Sequence, residues 1–295
     1  MTIESIAPSM LILGCGYLGS RLAKLAISTG WKVGALTRNP QTCRQLASIG
    51  VDPQICAMLS SNSWHNELDT NDWSAVVNCV GSASGDPDGY HSSYVEGMLS
   101  IMKWNTRAQS IQRYIYTSSA SVYGDFGGAW ADETAPTVPA STQGKTILES
   151  ERIITGQSLP NWFILRLGGL YGPGRDSFLR NRTPEPGDTS DPYLNLIHVD
   201  DACAAILKLA APLTALPSAV YNLTDNHPTP RSVIDRWAQS GIPGIPEATT
   251  PPRNGEKSLR SSGIRPNRRI SSAALMADTG WAPEHLPPFA DEASN

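Results

Sequence analysis

Short runs of apolar residues alternate along most of the chain with segments that carry apolar residues at helical spacing. Leu18, Leu22 and Leu25 form one such helical face, and Gly30 marks the end of that helix. Strands are predicted at 10–13, 31–36, 51–59, 73–80, 113–118 and 162–167, and a long helix at 92–109. Repeated strand–helix units predict an α/β fold, a Rossmann-type doubly wound parallel sheet with ligands at the carboxyl ends of its strands.

The first apolar run breaks into three glycines with the spacing Gly14-x-Gly16-x-x-Gly19. In a strand-to-helix turn, Gly14 permits the tight bend, Gly16 lets backbone amides approach a pyrophosphate, and Gly19 lets the helix pack closely on the strand. Glycines also occur in ordinary turns, so the prediction depends on the strand before them and the helix after them. The loop residues of this predicted dinucleotide site are Gly14, Cys15, Gly16, Tyr17, Leu18 and Gly19.

The second predicted strand ends without a carboxylate. An NAD-preferring site usually has Asp or Glu there to bind the ribose 2′-hydroxyl, whereas this chain has Thr37 and Arg38 and no acidic residue from the glycine motif to Asp52. A guanidinium can pair a 2′-phosphate in a forked contact. We therefore predict NADP(H), bound in part by Thr37 and Arg38. The alternative is that Arg38 is a solvated loop arginine beside the adenine, with NAD accepted as well.

The composition changes after residue 167. Segments 168–192 and 226–266 are rich in Pro, Gly or Arg, whereas helix and strand patterns return at 196–211 and 220–223, and a late helix at 271–279 ends at Gly280. This pattern predicts two units. Residues 8–167 plus 195–224 would form the dinucleotide-binding Rossmann domain, and residues 168–194 plus 225–290 a small, discontinuous C-terminal substrate lobe.

Composition narrows the class of protein. The 295 residues are 40% hydrophobic, which suffices for a buried core, and the net charge of −4 argues against a nucleic-acid partner. No apolar stretch reaches membrane-spanning length. The five cysteines are scattered without a CxxC pair, and the five histidines lack metal-ligand spacing, so we expect no metal, no disulfide framework and a cytoplasmic location.

The segment 116–125, YTSSASVYGD, resembles the strand-end signature of extended short-chain dehydrogenases/reductases, the nucleotide-sugar epimerase and dehydratase group. Further landmarks follow in the family's order: NCVG at 78–81, YVEG at 94–97, RLGGLYGPG at 166–174, NLIHVDD at 195–201 and YNLT at 221–224. The resemblance covers nearly the whole chain, implies the fold predicted above, and assigns Cys79, Val80 and Gly81 to the cofactor site. The ending at 267–281 resembles the atypical, YeeZ-like branch of this family.

In the resembled family, a Tyr-x-x-x-Lys pair transfers the proton and a Ser or Thr holds the substrate oxygen. Ser119 matches the hydroxyl and Lys145 the lysine, but Ser141 stands four residues before Lys145, so the tyrosine is missing. Serine is too weak an acid to replace tyrosine directly, and losing a positioned acid or base costs about 10²- to 10⁴-fold in rate. The resemblance thus implies Ser119, Lys145 and Ser141 as candidate catalytic residues, with Lys145 also binding the nicotinamide ribose. Candidate replacements for the tyrosine are Tyr123, Tyr171, Tyr90, Tyr94 and His198.

These observations favour an NADP(H)-binding oxidoreductase or nucleotide-sugar epimerase-like enzyme. Ala120 and Ser121 stand where the family's sugar dehydratases have an Asp-Glu pair, so dehydration is disfavoured, and no Gly-x-Ser-x-Gly turn indicates a hydrolase. The substrate would be a small molecule, and the arginines of the predicted lobe leave open whether it is nucleotide-linked. The alternative is a dinucleotide-binding sensor or scaffold with little or no turnover. Both a monomer and a homodimer remain possible.

Overall fold

The computed structural model describes residues 7–68, 73–81, 86–108, 111–157, 159, 161–175, 191–211, 216–239 and 266–290. The strands in chain order are β1 (Ser9–Leu13), β2 (Lys32–Thr37), β3 (Gln54–Cys56), β4 (Ala75–Asn78), β5 (Tyr114–Ser119), β6 (Trp130–Ala131), β7 (Trp162–Leu167), β8 (Gly169–Tyr171), β9 (Tyr193–Leu194), β10 (Leu196–His198), β11 (Ala219–Leu223), β12 (Thr229–Pro230) and β13 (Arg269–Ile270).

The helices are α1 (Tyr17–Ser28), α2 (Pro40–Ser48), α3 (His65–Leu68), α4 (Pro87–His91), α5 (Gly97–Ala108), α6 (Thr142–Thr155), α7 (Val199–Ala210), α8 (Arg231–Gln239) and α9 (Ala273–Thr279). A π-helix, Ser92–Glu96, joins α4 to α5, and a 3₁₀ turn, Ala120–Val122, follows β5.

The central sheet has seven parallel strands in the order β11-β7-β5-β4-β1-β2-β3. Most residues of its strands are apolar because both faces of the sheet are covered, and the polar residues of β5 lie at its carboxyl end. Helices α1 and α7 pack on one face and contribute Leu22 and Ile206 to its core, whereas α5 and α6 contribute Ile101 and Ile154 on the other. The predicted Rossmann-type doubly wound sheet is confirmed.

The bounds of some predicted strands and helices differ from those in the structure. The predicted strand 162–167 matches β7, but the predicted strand 51–59 is β3 only over Gln54–Cys56. The predicted helix 92–109 begins earlier, at Pro87, where Asp86 caps α4, and its first part is the π-helix. The late helix begins at Ala273 and ends as predicted at Gly280, which has a left-handed φ of 63°.

Residues of the predicted C-terminal lobe form short two-stranded sheets with other segments. β8 pairs with β10, β9 with β12, and β13 with β6, so the chain around 269–270 is tied to residues 130–131. The predicted unit boundaries stay a prediction, since residues 176–190 and 240–265 lie outside the described residues. No helix in the described part of the chain is long and apolar enough to cross a membrane.

Candidate functional site

The glycine turn after β1 has the geometry that its spacing predicts. Gly14 has a φ of +92°, and a Cβ there would lie 2.6 Å from the Val80 Cγ2 atom, so the position requires glycine. A Cβ on Gly19 would lie 2.3 Å from the Gly14 carbonyl oxygen, whereas a Cβ on Gly16 would meet nothing within 4 Å. Gly19 therefore permits close packing of α1, and Gly16 leaves open space beside the backbone.

Helix α1 begins directly after this turn without a side-chain cap. Gly16 is its N-cap residue and offers no side-chain oxygen, and the first turn contains no acidic residue. Uncapped amides at a helix N-terminus bind phosphate oxygens well. Tyr17 points elsewhere and donates a hydrogen bond to the Pro173 carbonyl at 3.3 Å, while Leu18 is buried in the core. The two therefore position the turn rather than line the cavity described next.

A first cavity opens at the carboxyl ends of β1, β2 and β4. The lining residues described are Gly14, Cys15, Gly16, Leu36, Thr37, Arg38, Asn39, Thr42, Ala57, Met58, Leu59, Ser60, Cys79, Val80, Gly81, Ser92 and Ser93. The structure thus brings together the three loop residues 14–16, both residues predicted after β2, and the three residues predicted after β4. None of the described lining residues is acidic.

Two cysteines in this lining are packing groups. Burial, with a smaller effect from Cys43, raises the pKa of the Cys15 thiol to about 12, and burial likewise raises the pKa of the Cys79 thiol well above its ordinary value. Both thiols therefore stay protonated at neutral pH, and a protonated thiol is a poor nucleophile.

The segment after β2 is fixed by local hydrogen bonds. Thr37 is buried and its hydroxyl accepts the Asn39 amide at 3.3 Å, while the Asn39 side chain caps α2 by accepting the amides of Gln41 and Thr42. Arg38 lies between them and is exposed at the cavity rim. A fixed backbone with an exposed guanidinium is the arrangement that a phosphate group at this rim requires.

A second cavity lies beyond β5 and β7 on the same edge of the sheet. Its described lining residues are Ser119, Ala120, Ser121, Leu167, Gly168, Gly169, Pro192, Tyr193, Leu194, Asn195, Arg231, Pro266 and Arg268. Chain segments that are far apart in sequence meet here: the Asn195 side chain accepts the Ile270 amide at 2.7 Å and donates to the Arg268 carbonyl at 3.0 Å. These bonds hold residues 193–195 against 268–270.

Ser119 lies at the end of β5, where its register partner on β7 is Leu167. Its hydroxyl oxygen accepts the Ser121 amide at 3.1 Å, which caps the 3₁₀ turn. Because that bond uses a lone pair, the hydroxyl proton remains available to a ligand oxygen in the second cavity.

Arg268 brings positive charge to this cavity. Its guanidinium donates to the Gly124 and Ala120 carbonyls at 3.1 and 3.0 Å, but its buried Nε atom has no partner in the described part of the chain. Burial lowers the pKa of Arg268, against the opposing effect of Asp125. A carbonyl does not neutralise a cation, so an anionic ligand would stabilise this group.

A buried polar network lies behind Ser119. The Ser118 hydroxyl donates to Glu151 at 2.5 Å, Arg166 pairs with the same carboxylate at 2.8 Å, and Arg166 also donates to the Tyr123 hydroxyl at 2.9 Å. Tyr123 in turn donates to the Asn222 side chain at 2.8 Å. This Ser118–Glu151–Arg166–Tyr123 network fixes the end of β5 against β7, α6 and β11.

Ser141 and Lys145 lie at the start of α6. Ser141 is the N-cap residue, and its hydroxyl accepts the Gly144 amide at 3.0 Å. Lys145 is exposed and lines neither cavity. The sequence motif places Ser141 where the tyrosine would be, but the structure places it at the helix end rather than inside the helix.

The candidate replacements for the missing tyrosine have different surroundings. Tyr123 is fully buried in the network, the Tyr171 hydroxyl donates to the His285 carbonyl, and His198 caps α7 by accepting the Asp200 amide. Tyr90 and Tyr94 stack on each other with ring centroids 5.4 Å apart. None of the five lines either of the two cavities described.

The structure also brings together His198, Asp200 and His285, whose potential metal-ligating atoms all lie within 4.8 Å of one another. His285 is distant from the other two in sequence. Asp200 is engaged by the Arg21 guanidinium through both oxygens, and His285 is bonded to Asp201 at 2.8 Å. The two imidazole rings stack at 4.0 Å. These bonds tie the C-terminal segment to α7 and α1.

Several lining residues have no signal in the sequence. Residues 57–60 follow β3 and form a wall of the first cavity, although their apolar character suggested a continued strand. Tyr193, Asn195 and Arg268 reach the second cavity through contacts between residues more than 70 positions apart. A single sequence offers no local pattern for such contacts.

Comparison with known proteins agrees with this geometry. The sequence model of the NAD dependent epimerase/dehydratase family matches residues 10–224. YeeZ from Escherichia coli K12 is 30% identical to this chain over 209 residues, which cover 68% of this chain and 73% of YeeZ.

Solved structures show the same fold. UDP-glucose 4-epimerase from Thermus thermophilus, in complex with NAD, has a TM-score of 0.75 and 22% identity, with 97% of each chain covered. The UDP-glucose 4-epimerase from Bifidobacterium longum, in complex with NAD⁺ and UDP, has a TM-score of 0.73 and 17% identity over 97% of this chain and 96% of its own. Since the family model spans more than half of the sequence and the sheet, glycine turn and cavity agree with it, this chain belongs to the NAD-dependent epimerase/dehydratase family.

Proposed function

We propose that the protein is an NADP(H)-dependent oxidoreductase or epimerase that acts on a small molecule held in the second cavity. The observation that carries the proposal is the first cavity, which combines the glycine turn with Thr37 and Arg38 and has no acidic residue among its described lining. A carboxylate at this place would repel a 2′-phosphate, whereas a guanidinium attracts it.

The cofactor's pyrophosphate would lie on the uncapped start of α1, beside Gly16. Its adenosine end would lie between Arg38 and residues 57–60, and its nicotinamide end would extend past Gly81 toward Ser119. The oxidised and reduced nicotinamide supply hydride acceptance and donation. We assign Lys145 to the nicotinamide ribose, and only its position in the family motif supports this role.

In the second cavity, we assign Ser119 to the oxygen of the reacting carbon, to which its free hydroxyl proton can be donated. Arg268 and Arg231 supply positive charge to the same space. Because the Bifidobacterium longum epimerase binds UDP, a nucleotide-linked sugar is the first substrate class to test. The Nε atom of Arg268, which has no hydrogen-bond partner among the described residues, supports an anionic group on the substrate.

Titration calorimetry with NADP⁺ and NAD⁺ tests the cofactor assignment. For Arg38→Ala we expect NADP⁺ affinity to fall about tenfold or more, which corresponds to about 1.4 kcal/mol, while NAD⁺ affinity stays within about twofold. Arg44→Ala is the matched control, since Arg44 lies on α2 outside the cavity lining. Equal loss for both cofactors, or no loss for either, would contradict the 2′-phosphate contact.

Turnover is tested with NADPH or NADP⁺ and a panel of nucleotide sugars and small carbonyl compounds, by following absorbance of the reduced cofactor. An epimerase returns its cofactor to the starting state, so product sugars are also separated by chromatography. Consumption of cofactor or formation of an epimer supports an enzyme. Tight NADP(H) binding with no product over the whole panel would favour the sensor or scaffold alternative.

A further inference from the structure

Proton transfer at a substrate oxygen requires a titratable group in the same space, and the family tyrosine is absent from this chain. Among the described residues that line the second cavity, Tyr193 is the only phenol, a side chain that can both donate a proton and accept one. The others are apolar residues, glycines, serines, an asparagine and two arginines. Serine and asparagine side chains are far weaker acids than a phenol.

We propose that Tyr193 is the catalytic residue that exchanges the proton of the substrate oxygen, in the cavity that it shares with Ser119. The inference rests on the proposed function, because it concerns the reaction for which that function needs an acid and a base. Tyr193 is not one of the candidates identified from the sequence. It lies 48 residues beyond Lys145, on a different segment of the chain.

Tyr193 is positioned through its backbone and through a contact of its ring. Its backbone amide donates to the Asn267 side chain at 3.2 Å. The Arg269 guanidinium lies over the ring, 5.2 Å from its centroid, and is itself fixed by a 2.7 Å bond to the Gly128 carbonyl. A phenol held in this way is pre-positioned, which proton transfer requires.

Arginine side chains lie around Tyr193. Arg231 and Arg268 line the same cavity, and Arg269 covers the ring. On the elements packed against it, the carboxylate of Asp125 accepts the Asn267 and Gly127 amides and is thereby compensated. No described residue forms a hydrogen bond with the Tyr193 hydroxyl, so the group is available to a ligand.

The proton balance is simple. In carbonyl reduction a bound reduced nicotinamide would supply the hydride to the carbon, and Tyr193 would give its proton to the oxygen and become a phenolate. Water then returns a proton to the phenolate. In the oxidation direction the phenolate takes the proton of the substrate hydroxyl as the carbon loses its hydride. Ser119 donates a hydrogen bond to the same oxygen throughout.

The test uses the full chain labelled with ¹³C at the tyrosine Cζ atoms, titrated with pH by NMR in the presence of NADP⁺ or NADPH. Tyr193→Phe identifies the resonance, and Tyr90→Phe is the matched control for a half-buried tyrosine outside the lining. The positive charge of the oxidised nicotinamide favours a nearby phenolate. We therefore expect the Tyr193 titration midpoint to lie at least about 0.5 pH unit lower with NADP⁺ than with NADPH.

Turnover supplies the second measurement. Tyr193→Phe is expected to lower kcat about 10²- to 10⁴-fold and to remove the corresponding limb of the pH–rate profile, with cofactor affinity within about twofold of the parent. A midpoint that does not respond to the cofactor's oxidation state overturns the proposal, and so does a Tyr193→Phe variant with parental kcat. Failure of both dinucleotides to bind refutes the proposed function instead, which distinguishes the two failures.

Discussion

The two cavities lie at the same edge of one sheet but are built in different ways. The first is formed mainly by the residues that follow four strands, β1, β2, β3 and β4, and a short glycine motif determines the turn after β1. The second combines the ends of β5 and β7 with residues 192–195, 231, 266 and 268. The first cavity therefore depends on local backbone geometry, and the second on long-range hydrogen bonds that hold distant segments together.

This difference suggests a division of roles. A cofactor that is common to many reactions can be bound by a local motif. A substrate-specific cavity can be formed by other residues, which can change without altering that motif. Substitutions should therefore separate the two cavities: some will damage the second while the first still binds its dinucleotide, and others will do the reverse.

The largest effect is expected at the buried network behind the second cavity. In Glu151→Gln the Arg166 guanidinium loses its buried counter-ion and Ser118 loses a charged acceptor. Removing one partner of a buried ion pair costs about 3–5 kcal/mol. We expect the free energy of unfolding in urea to fall by this amount, with a lower kcat in the folded fraction and an unchanged Kd for NADP⁺.

Glu149→Gln is the control for that substitution, since Glu149 is exposed on the same helix. An exposed charge change of this kind alters stability by less than about 0.5 kcal/mol. If Glu151→Gln were as stable as this control, the network would not hold the second cavity. If it also weakened NADP⁺ binding in proportion to its loss of kcat, the two cavities would not be independent.

Substitutions in the glycine turn test the first cavity instead, and we expect effects of moderate size. In Gly19→Ala the new methyl group meets the Gly14 carbonyl at 2.3 Å, and we expect a loss of about 1–3 kcal/mol in unfolding free energy. In Gly16→Ala the methyl group enters open space, so stability changes by less than about 1 kcal/mol. In the proposed cofactor position, that methyl group would stand in the way of the pyrophosphate, so NADP⁺ affinity should fall about tenfold or more.

Urea unfolding and titration calorimetry on both variants measure the two effects. Retained NADP⁺ affinity in Gly16→Ala would show that the dinucleotide does not approach the backbone at this turn. Equal instability of the two variants would show that the open space at Gly16 is closed in solution.

The sequence predicted the features that depend on residues close together in the chain. Gly14 has the positive φ that its motif implies, β7 covers the predicted six residues, and Ser119 lies at a strand end. The apolar residues 57–59 continued a strand pattern but line the first cavity instead, where Leu59 is buried and Met58 is exposed. A short apolar run does not by itself distinguish a strand from a cavity wall. Tyr193 gave no signal, since its place depends on Asn267 and Arg269.

The smallest effect is expected at Ser141, where the sequence motif and the helix geometry suggest different roles. If the hydroxyl serves only as the N-cap of α6, Ser141→Ala lowers the free energy of unfolding by about 1 kcal/mol. Ser141→Asp keeps a capping oxygen and should retain parental stability and parental kcat. A kcat that falls by more than about tenfold in stable Ser141→Asp would instead support a part for the serine hydroxyl in proton transfer, and Tyr193 would then not act alone.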